Sequence, residues 1–340
     1  MFRKRFKPKG WAVMNQAIQA DPVHEFPENL SALVVDYQNI YLKSLDGSEN
    51  TKRAYAADLR SYEQFCHGCE LLPYPAALNT LVNYLAHLAT SNYKIATIRR
   101  HLSSILKKHY LQRLPSVAGD PVLCDVMAGI TMHLGVEQRQ APAFTVEHLK
   151  SCVSKLELAT TTGLRDRAIL LMGFAGAFRR CELVALNLEH LKLQGKALVV
   201  SIEQSNGEVK EKALFYAKNP LFCPISAYRE WVGQLRGRRK GPLFVSIQRG
   251  CTPGTGLPTK RRLSGNSINT LVSKHLGKKA PGKPYTVHSL RPSFVTAAKL
   301  AGQNNDQIRC QTHHKADSSI SRCTRLSHLP AFNAASALGL

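Results

Sequence analysis

The chain has 340 residues, 44% of them hydrophobic, and no apolar run near 18 residues, which is enough for two cored domains and leaves no candidate membrane span. Lysine and arginine total 46 against 23 acidic residues, a net charge of +23, and this surplus calls for a polyanionic partner. Nucleic acid stands ahead of an acidic membrane, because the cations run through the whole chain instead of gathering on one amphipathic helix.

The nine cysteines, odd in number and scattered through apolar patterns, read as reduced thiols of an intracellular protein. Cys66-His-Gly-Cys69 has the spacing of half a zinc site, but no second pair has suitable spacing, so no metal is expected. Residues 1–26, opening Met1-Phe-Arg-Lys-Arg-Phe-Lys-Pro-Lys9, lack the apolar core of a secretory signal and read as a basic flexible arm. Such an arm either grips phosphate or is simply solvated.

From residue 27 to 135 the pattern predicts about five helices and no strand. Ser48 or Asn50 caps a helix with Tyr55, Leu59, Tyr62 and Cys66 on one stripe and Lys52 and Arg53 opening the other face. Leu78, Leu81, Val82, Leu85 and Leu88 mark the next, and Ile95, Ile98, Leu102, Ile105 and Leu106 the one after. On Lys94 to Leu111 the remaining positions are Thr97, Arg99, Arg100, His101, Ser103, Ser104, Lys107 and Lys108, with no acid among them. Ordinary solvated faces interleave Glu with Lys, so this face is expected to meet DNA. Val122, Val126 and Ile130 suggest a closing helix, and residues 136–143 form the linker.

Beyond Phe144 a second domain runs to residue 326. A Thr145-capped helix opens it, and Arg165 to Ala177 forms a buried helix leading to Arg179-Arg-Cys-Glu182-Leu. Strands are expected at Ala197 to Ile202 and Ala213 to Tyr216 around an Asn206-Gly207 turn, with helices at Pro224 to Leu235, Ser267 to Leu276 and His288 to Ala301. Arg236 to Gly241 and Lys260 to Arg262 read as basic loops touching phosphate or solvent. The fold class is thus mainly α with a small antiparallel β-sheet in the C-terminal domain.

Arg179 and Arg291 are suited to clamp the two non-bridging oxygens of one phosphodiester, with Glu182 holding an arginine in place. His288, three residues before Arg291, and His314 supply groups that donate hydrogen bonds or move protons near neutral pH. Taken singly, each has a dull explanation as a surface ion pair or a satisfied histidine. Their order along the chain weighs against that.

Gly176-Ala-Phe-Arg179-Arg-Cys-Glu182-Leu, His288-Ser-Leu-Arg291 and Gln311-Thr-His-His314-Lys resemble the ordered boxes of the tyrosine recombinase superfamily, the phage integrases and Cre-like site-specific recombinases. Thr51-Lys-Arg-Ala-Tyr55 and Thr97-Ile-Arg-Arg100 resemble its core-binding helices, so the likeness runs from about residue 30 onward. The resemblance implies a two-domain C-shaped DNA clamp acting without metal, cofactor or small-molecule substrate. A tyrosine attacks the scissile phosphate, forms a 3′-phosphotyrosyl link and is displaced by a partner strand's 5′-hydroxyl. Arg179, Arg291, His288 and His314 would stabilise the transition state. A homo-tetramer would assemble on double-stranded DNA with inverted-repeat sites, residues 327–340 serving as a C-terminal helix that docks on a neighbour or on its own domain. The setting implied is cytoplasmic and nucleoid-associated in a bacterium or phage, nuclear in a eukaryote.

Two departures stand out. Nine residues beyond His314, where the family has its nucleophilic tyrosine, the sequence reads Arg322-Cys323-Thr-Arg325, and no tyrosine follows Tyr285. Where the family places a lysine that protonates the leaving oxygen, the alignment puts Asn206, with Lys210 and Lys212 as possible substitutes. The expectation is a recombinase of the tyrosine class with impaired cleavage, and the alternative is a catalytically inactive DNA-binding protein, a repressor or architectural factor, on the same scaffold.

Overall fold

The structure, a computed structural model, describes residues 49–136, 140–203, 207–248, 250, 256–279 and 282–324. The chain divides into two compact units, Met1–Gln138 and Arg139–Leu340. The basic arm, the Asn206 position and the expected C-terminal helix lie outside the described residues. Among those described, no helix is long and apolar enough to cross a membrane.

In the first unit the described residues form α1 (Glu49–Gly68), α2 (Leu78–Thr90), α3 (Ile95–Leu111) and α4 (Pro121–Leu134). Leucines and isoleucines at three- and four-residue spacing put one face of each helix into a common core of Tyr62, Leu81, Leu85, Ile98, Leu102, Ile105 and Leu123. Asp120 starts α4 by accepting from Val122 N, with Pro121 in the first turn where its missing N–H costs nothing. Cys66 is buried in this core while Cys69 is exposed.

The polar face expected on α3 needs correction. His101 and Ser104 are buried, because α1 packs over this side of α3 and brings Asp58 with it. The Asp58 carboxylate, 2% exposed, accepts from Arg100 Nε and Nη2, both at 2.8 Å, and from His101 Nε2 at 3.1 Å. His101 Nδ1 lies 2.8 Å from the Tyr84 hydroxyl. Burial lowers the His101 pKa, against the pull of Asp58, and a neutral ring with Nε2–H donating and Nδ1 accepting satisfies both partners. Lys108 likewise reaches Glu63 on α1 at 2.7 Å and stacks on the Tyr74 ring. The acids missing from α3 are thus supplied by its neighbour.

The second unit opens with α5 (Val146–Ser154), capped by Thr145, and α6 (Thr161–Ala175). α6 starts earlier than its apolar run, because Thr160 Oγ1 accepts from Gly163 N at 3.0 Å. A Cβ at Gly163 would lie 2.1 Å from Glu157 O, so the tight entry requires glycine. Residues 166–173 are all buried, which makes α6 the axis of the core. A one-turn helix α7 (Arg180–Ala185) leads to a three-stranded antiparallel sheet of β1 (Leu191–Gln194), β2 (Ala197–Glu203) and β3 (Val209–Phe215), in the order β1-β2-β3. Leu198, Val200 and Ile202 alternate onto its inner face, and the register sets Lys212 opposite Val200.

After α8 (Pro224–Gly233) come the paired strands β4 (Val245–Gln248) and β5 (Leu257–Arg262). Residues 260–262 therefore belong to a strand and not to the expected loop. Arg262 donates to Val184 O and Leu186 O, where α7 ends, and to Asn187 Oδ1; Leu186 O also accepts from Leu243 N. Arg238, in the other expected basic loop, donates to Thr259 O and Pro242 O. Both arginines brace the backbone. The chain then forms α9 (Gly265–Leu276), the two-residue strands β6 (Lys278–Lys279) and β7 (Lys283–Pro284), α10 (Val287–Leu300), α11 (Asn305–Thr312) and α12 (Asp317–Cys323). The unit is mainly helical with small antiparallel sheets, as its sequence pattern predicts.

Candidate active site

α6 ends at a sharp elbow, Gly176-Ala177-Phe178. Ala177 has φ +44°, a left-handed conformation rare for a residue with a side chain, and Phe178 folds back so closely that a Cβ on Gly176 would meet its ring at 2.2 Å. The elbow delivers Arg179 to the start of α7. Glu182, three residues on, accepts from the Arg179 backbone N–H at 2.9 Å through Oε2 and from Nη1 at 2.5 Å through Oε1. The Arg179 side chain remains 41% exposed, with only Nη1 engaged among the described residues, whereas that of Glu182 is 6% exposed.

β3 supplies the next group. Lys212 is completely enclosed, its ammonium donating to Gly176 O at 2.8 Å, Ala177 O at 3.3 Å and Glu182 Oε2 at 3.2 Å, over the Phe178 ring. Burial pushes its pKa down to about 8 against the opposing pull of Glu182. Burial alone would raise the Glu182 carboxyl, yet Lys212 and the hydrogen bonds from Arg179 outweigh it and hold that carboxyl below its ordinary range.

Arg291, on α10, reaches the same elbow. Its Nη1 donates to Ala177 O at 2.9 Å, Nη2 to Thr312 O at 2.5 Å and Nε to His314 Nε2 at 3.2 Å. Three of its five N–H groups are thus fixed by protein and two remain for a ligand. Burial, then the nearby Arg179, lowers its pKa to about 10, so it stays cationic at neutral pH. His314 Nδ1 lies 2.9 Å from Thr312 Oγ1, whose hydroxyl donates to Ile308 O. This pattern fits a neutral ring with Nδ1–H donating and Nε2 accepting. Burial, Arg291 and Arg179 push the His314 pKa down to about 4.

The 311–314 segment is docked by its own side chains. Gln311 Nε2 donates to Ala175 O at 2.8 Å and Ala213 O at 3.1 Å, and His313 Nε2 to Glu211 O at 3.0 Å. His313 caps α11 in a left-handed conformation, φ +53°, which turns His314 back toward Arg291. Cys323, closing α12, has its Sγ 3.6 Å from His314 Nε2. The position nine residues beyond His314 therefore faces the pocket.

The structure brings Arg179, Glu182, Lys212, Arg291, His314 and Cys323 together. It does not bring in Lys210, which pairs with Glu208 at 3.4 Å. His288 is exposed near the start of α10 and makes no hydrogen bond to Arg291 or His314 among the described residues. Its pKa is lowered by desolvation and by Arg180. Lys212 corresponds to one of the two expected substitutes for the family lysine, but its ammonium is turned inward onto the elbow. Its placement follows from the strand's alternation, and Gln311 gave no comparable signal in the sequence.

In the first unit Lys52 pairs with Glu49, and Arg53 donates to Asn50 Oδ1, both at the exposed start of α1. Arg99 is exposed and donates to Thr131 Oγ1 at 3.1 Å. Thr97 and Lys107 are half-buried, and Lys107 lies over the Tyr110 ring. Of these first-unit cations, Arg100 is the one with two guanidinium nitrogens on a buried carboxylate.

Residues 35–112 match the model of the phage integrase N-terminal SAM-like domain. An integrase/recombinase XerD homologue of Selenomonas ruminantium is 28% identical over 283 residues, covering 81% of each chain. The tyrosine recombinase XerD of Listeria innocua is 24% identical, covering 78% of this chain and 84% of its own. In fold, the chain is similar to a XerH site-specific recombinase bound to palindromic difH substrate, with a TM-score of 0.61 at 16% identity over 85% of this chain and 80% of that one. A lambda integrase dimer bound to a core site gives 0.54 at 15% identity over 87% and 95%. With the ordered boxes folded into one pocket and these relatives spanning most of its length, the chain is similar to the tyrosine recombinase superfamily across both units.

Proposed function

We propose that this protein binds duplex recombination sites with inverted repeats as a homo-tetramer and is built for strand exchange of the tyrosine recombinase type, with cleavage impaired at Cys323. The observation that carries this reading is the pocket itself. A half-exposed Arg179 and an Arg291 with two N–H groups to offer converge beside Cys323, where a phosphodiester would be held from one side. Thiolate chemistry fits phosphorus–oxygen exchange poorly, and a cysteine is much shorter than the tyrosine it stands in for, which displaces the attacking atom from the in-line position. Neither Lys212, fixed to the elbow, nor Lys210, at the surface, is set to protonate a leaving oxygen. That arrangement also favours the second reading, a DNA-binding protein that keeps the scaffold without the chemistry.

Incubation with a suicide-nicked duplex selected by the protein from a random pool separates the two. The parent chain is expected to form little covalent adduct, and Cys323→Tyr to restore it. A silent tyrosine variant would leave the DNA-binding reading standing. Affinity for duplex DNA is expected to fall by roughly 10³ between 50 and 200 mM salt if several phosphates are contacted, and a flat response would remove the DNA reading.

A further inference from the structure

One buried charge beside the pocket has no direct part in holding a phosphate. Lys212 touches neither solvent nor the position a phosphate would take, yet its three hydrogen bonds go to Gly176 O, Ala177 O and Glu182 Oε2, the elements that hold Arg179. It also shares Ala177 O with Arg291 Nη1. One ammonium group therefore fixes the elbow between the two arginines and, at the same time, neutralises the carboxylate paired with one of them.

We infer that Lys212 is a positioning residue for the phosphate pocket: by sharing Glu182 with Arg179 and pinning the Gly176-Ala177 carbonyls, it keeps the Arg179 guanidinium available to an oxyanion. The inference rests on the reading of this pocket as a phosphate site. Glu182 is buried and ionised, so it needs cationic partners. With Lys212 present, that need is met from the β3 side, and Arg179 gives it one nitrogen. Without Lys212, Arg179 becomes the only side-chain cation on Glu182, and its guanidinium is drawn onto the carboxylate in competition with any incoming anion. Arg291 loses the companion that fixes its carbonyl acceptor.

Cys323 offers a site-specific reporter, because its thiol lies beside His314 in the pocket. The full chain is treated with iodoacetamide, and alkylation of the Cys323 peptide is followed by mass spectrometry while inorganic sulfate, an oxyanion that does not titrate near neutrality, is added. Sulfate is expected to protect Cys323 in the parent chain and not in Arg179→Ala. Lys212→Met is expected to raise the sulfate concentration for half-protection about tenfold, a single-charge effect in a partly buried site, and Lys212→Arg to recover most of the loss. In a Glu182→Gln background the same Lys212→Met change should matter several-fold less, since there is no carboxylate left to capture Arg179.

The parent chain provides a check that needs no variant to fold. The groups facing Lys212 are Glu182, Arg179, Arg291, His313 and His314. Of these, Lys212, near 8, titrates between pH 7 and 9, while Glu182, His313 and His314 do so below and Arg291, near 10, above. Half-protection, referred to the sulfate-free rate at each pH, should therefore need more sulfate as pH rises through 8. Protection that persists in Arg179→Ala, or is absent from the parent chain, would defeat the phosphate-pocket reading and this inference with it. Protection lost in Arg179→Ala but unchanged in Lys212→Met, an equal Lys212→Met effect in both Glu182 backgrounds, or a flat parent profile across pH 8 would overturn the inference alone.

Discussion

Arg100 in the first unit and Arg179 in the second each pair with a buried carboxylate, and these two pairs are built for opposite ends. In the first, Arg100 gives both Nε and Nη2 to Asp58, and His101 completes the carboxylate, so the guanidinium is a clasp between α1 and α3. In the second, Arg179 gives Glu182 one nitrogen, because Lys212 and the Arg179 backbone N–H meet the rest of the demand. Arg179 is available to a ligand because it puts one guanidinium nitrogen on its carboxylate, whereas Arg165 gives two to Asp166 although His275 also reaches that carboxylate. Proximity to an acid does not by itself decide this.

The sharpest way to break the comparison is to delete each arginine and measure urea unfolding. Arg100→Ala removes two of the three donors to a 2%-exposed carboxylate and, because the Arg100 side chain is itself 45% exposed, is expected to cost about 2 kcal/mol. The pH dependence of stability comes next. His314 has an ordinary pKa of 6.5 and a folded value of about 4, so between those values the unfolded chain binds more protons. Stability should fall as pH drops from about 6.5 to about 4, by on the order of 2 kcal/mol from this residue, and His314→Asn should flatten the profile in that window.

Arg179→Ala is expected to cost less than about 1 kcal/mol, since it removes one side-chain hydrogen bond from a carboxylate that keeps Lys212, while phosphate binding is lost. An unfolding cost equal to that of Arg100→Ala would erase the distinction between the two pairs. The smallest effect is expected for Arg99→Ala, within about 0.5 kcal/mol in stability because its side chain is exposed. If Arg99 is the member of the α3 face that meets DNA, Arg99→Ala should weaken binding and Arg100→Ala should do so only in proportion to unfolding.

The helices of the first unit were readable from spacing alone, since leucines and isoleucines recur at three and four residues on α2 and α3. The boxes around Arg179 and Arg291 were readable from order and residue type. What spacing does not carry is the partner across a helix pair. Asp58 is 42 positions from Arg100, and nothing on α3 announces it, so a face without acids looked open. The β4 and β5 pair escaped for a different reason. Its register is interrupted between Val245 and Ile247, and a strand rich in lysine and arginine reads as a loop until its side chains are seen donating to backbone carbonyls. Lys212 was visible as a candidate, but its direction depends on which face of β3 turns inward, and that is settled by the register with β2.

The docking of residues 311–314 also has a consequence for solubility. Among the described residues β3 has β2 on one side only, and Gln311 and His313 donate to Ala213 O and Glu211 O on the other. The segment that presents His314 is therefore also the cover over an unpaired sheet edge whose outer face carries exposed Val209 and Phe215. If that segment lifts, the pocket loses a histidine and the protein gains a strand edge open to other chains. Loss of the site and the onset of aggregation are one event.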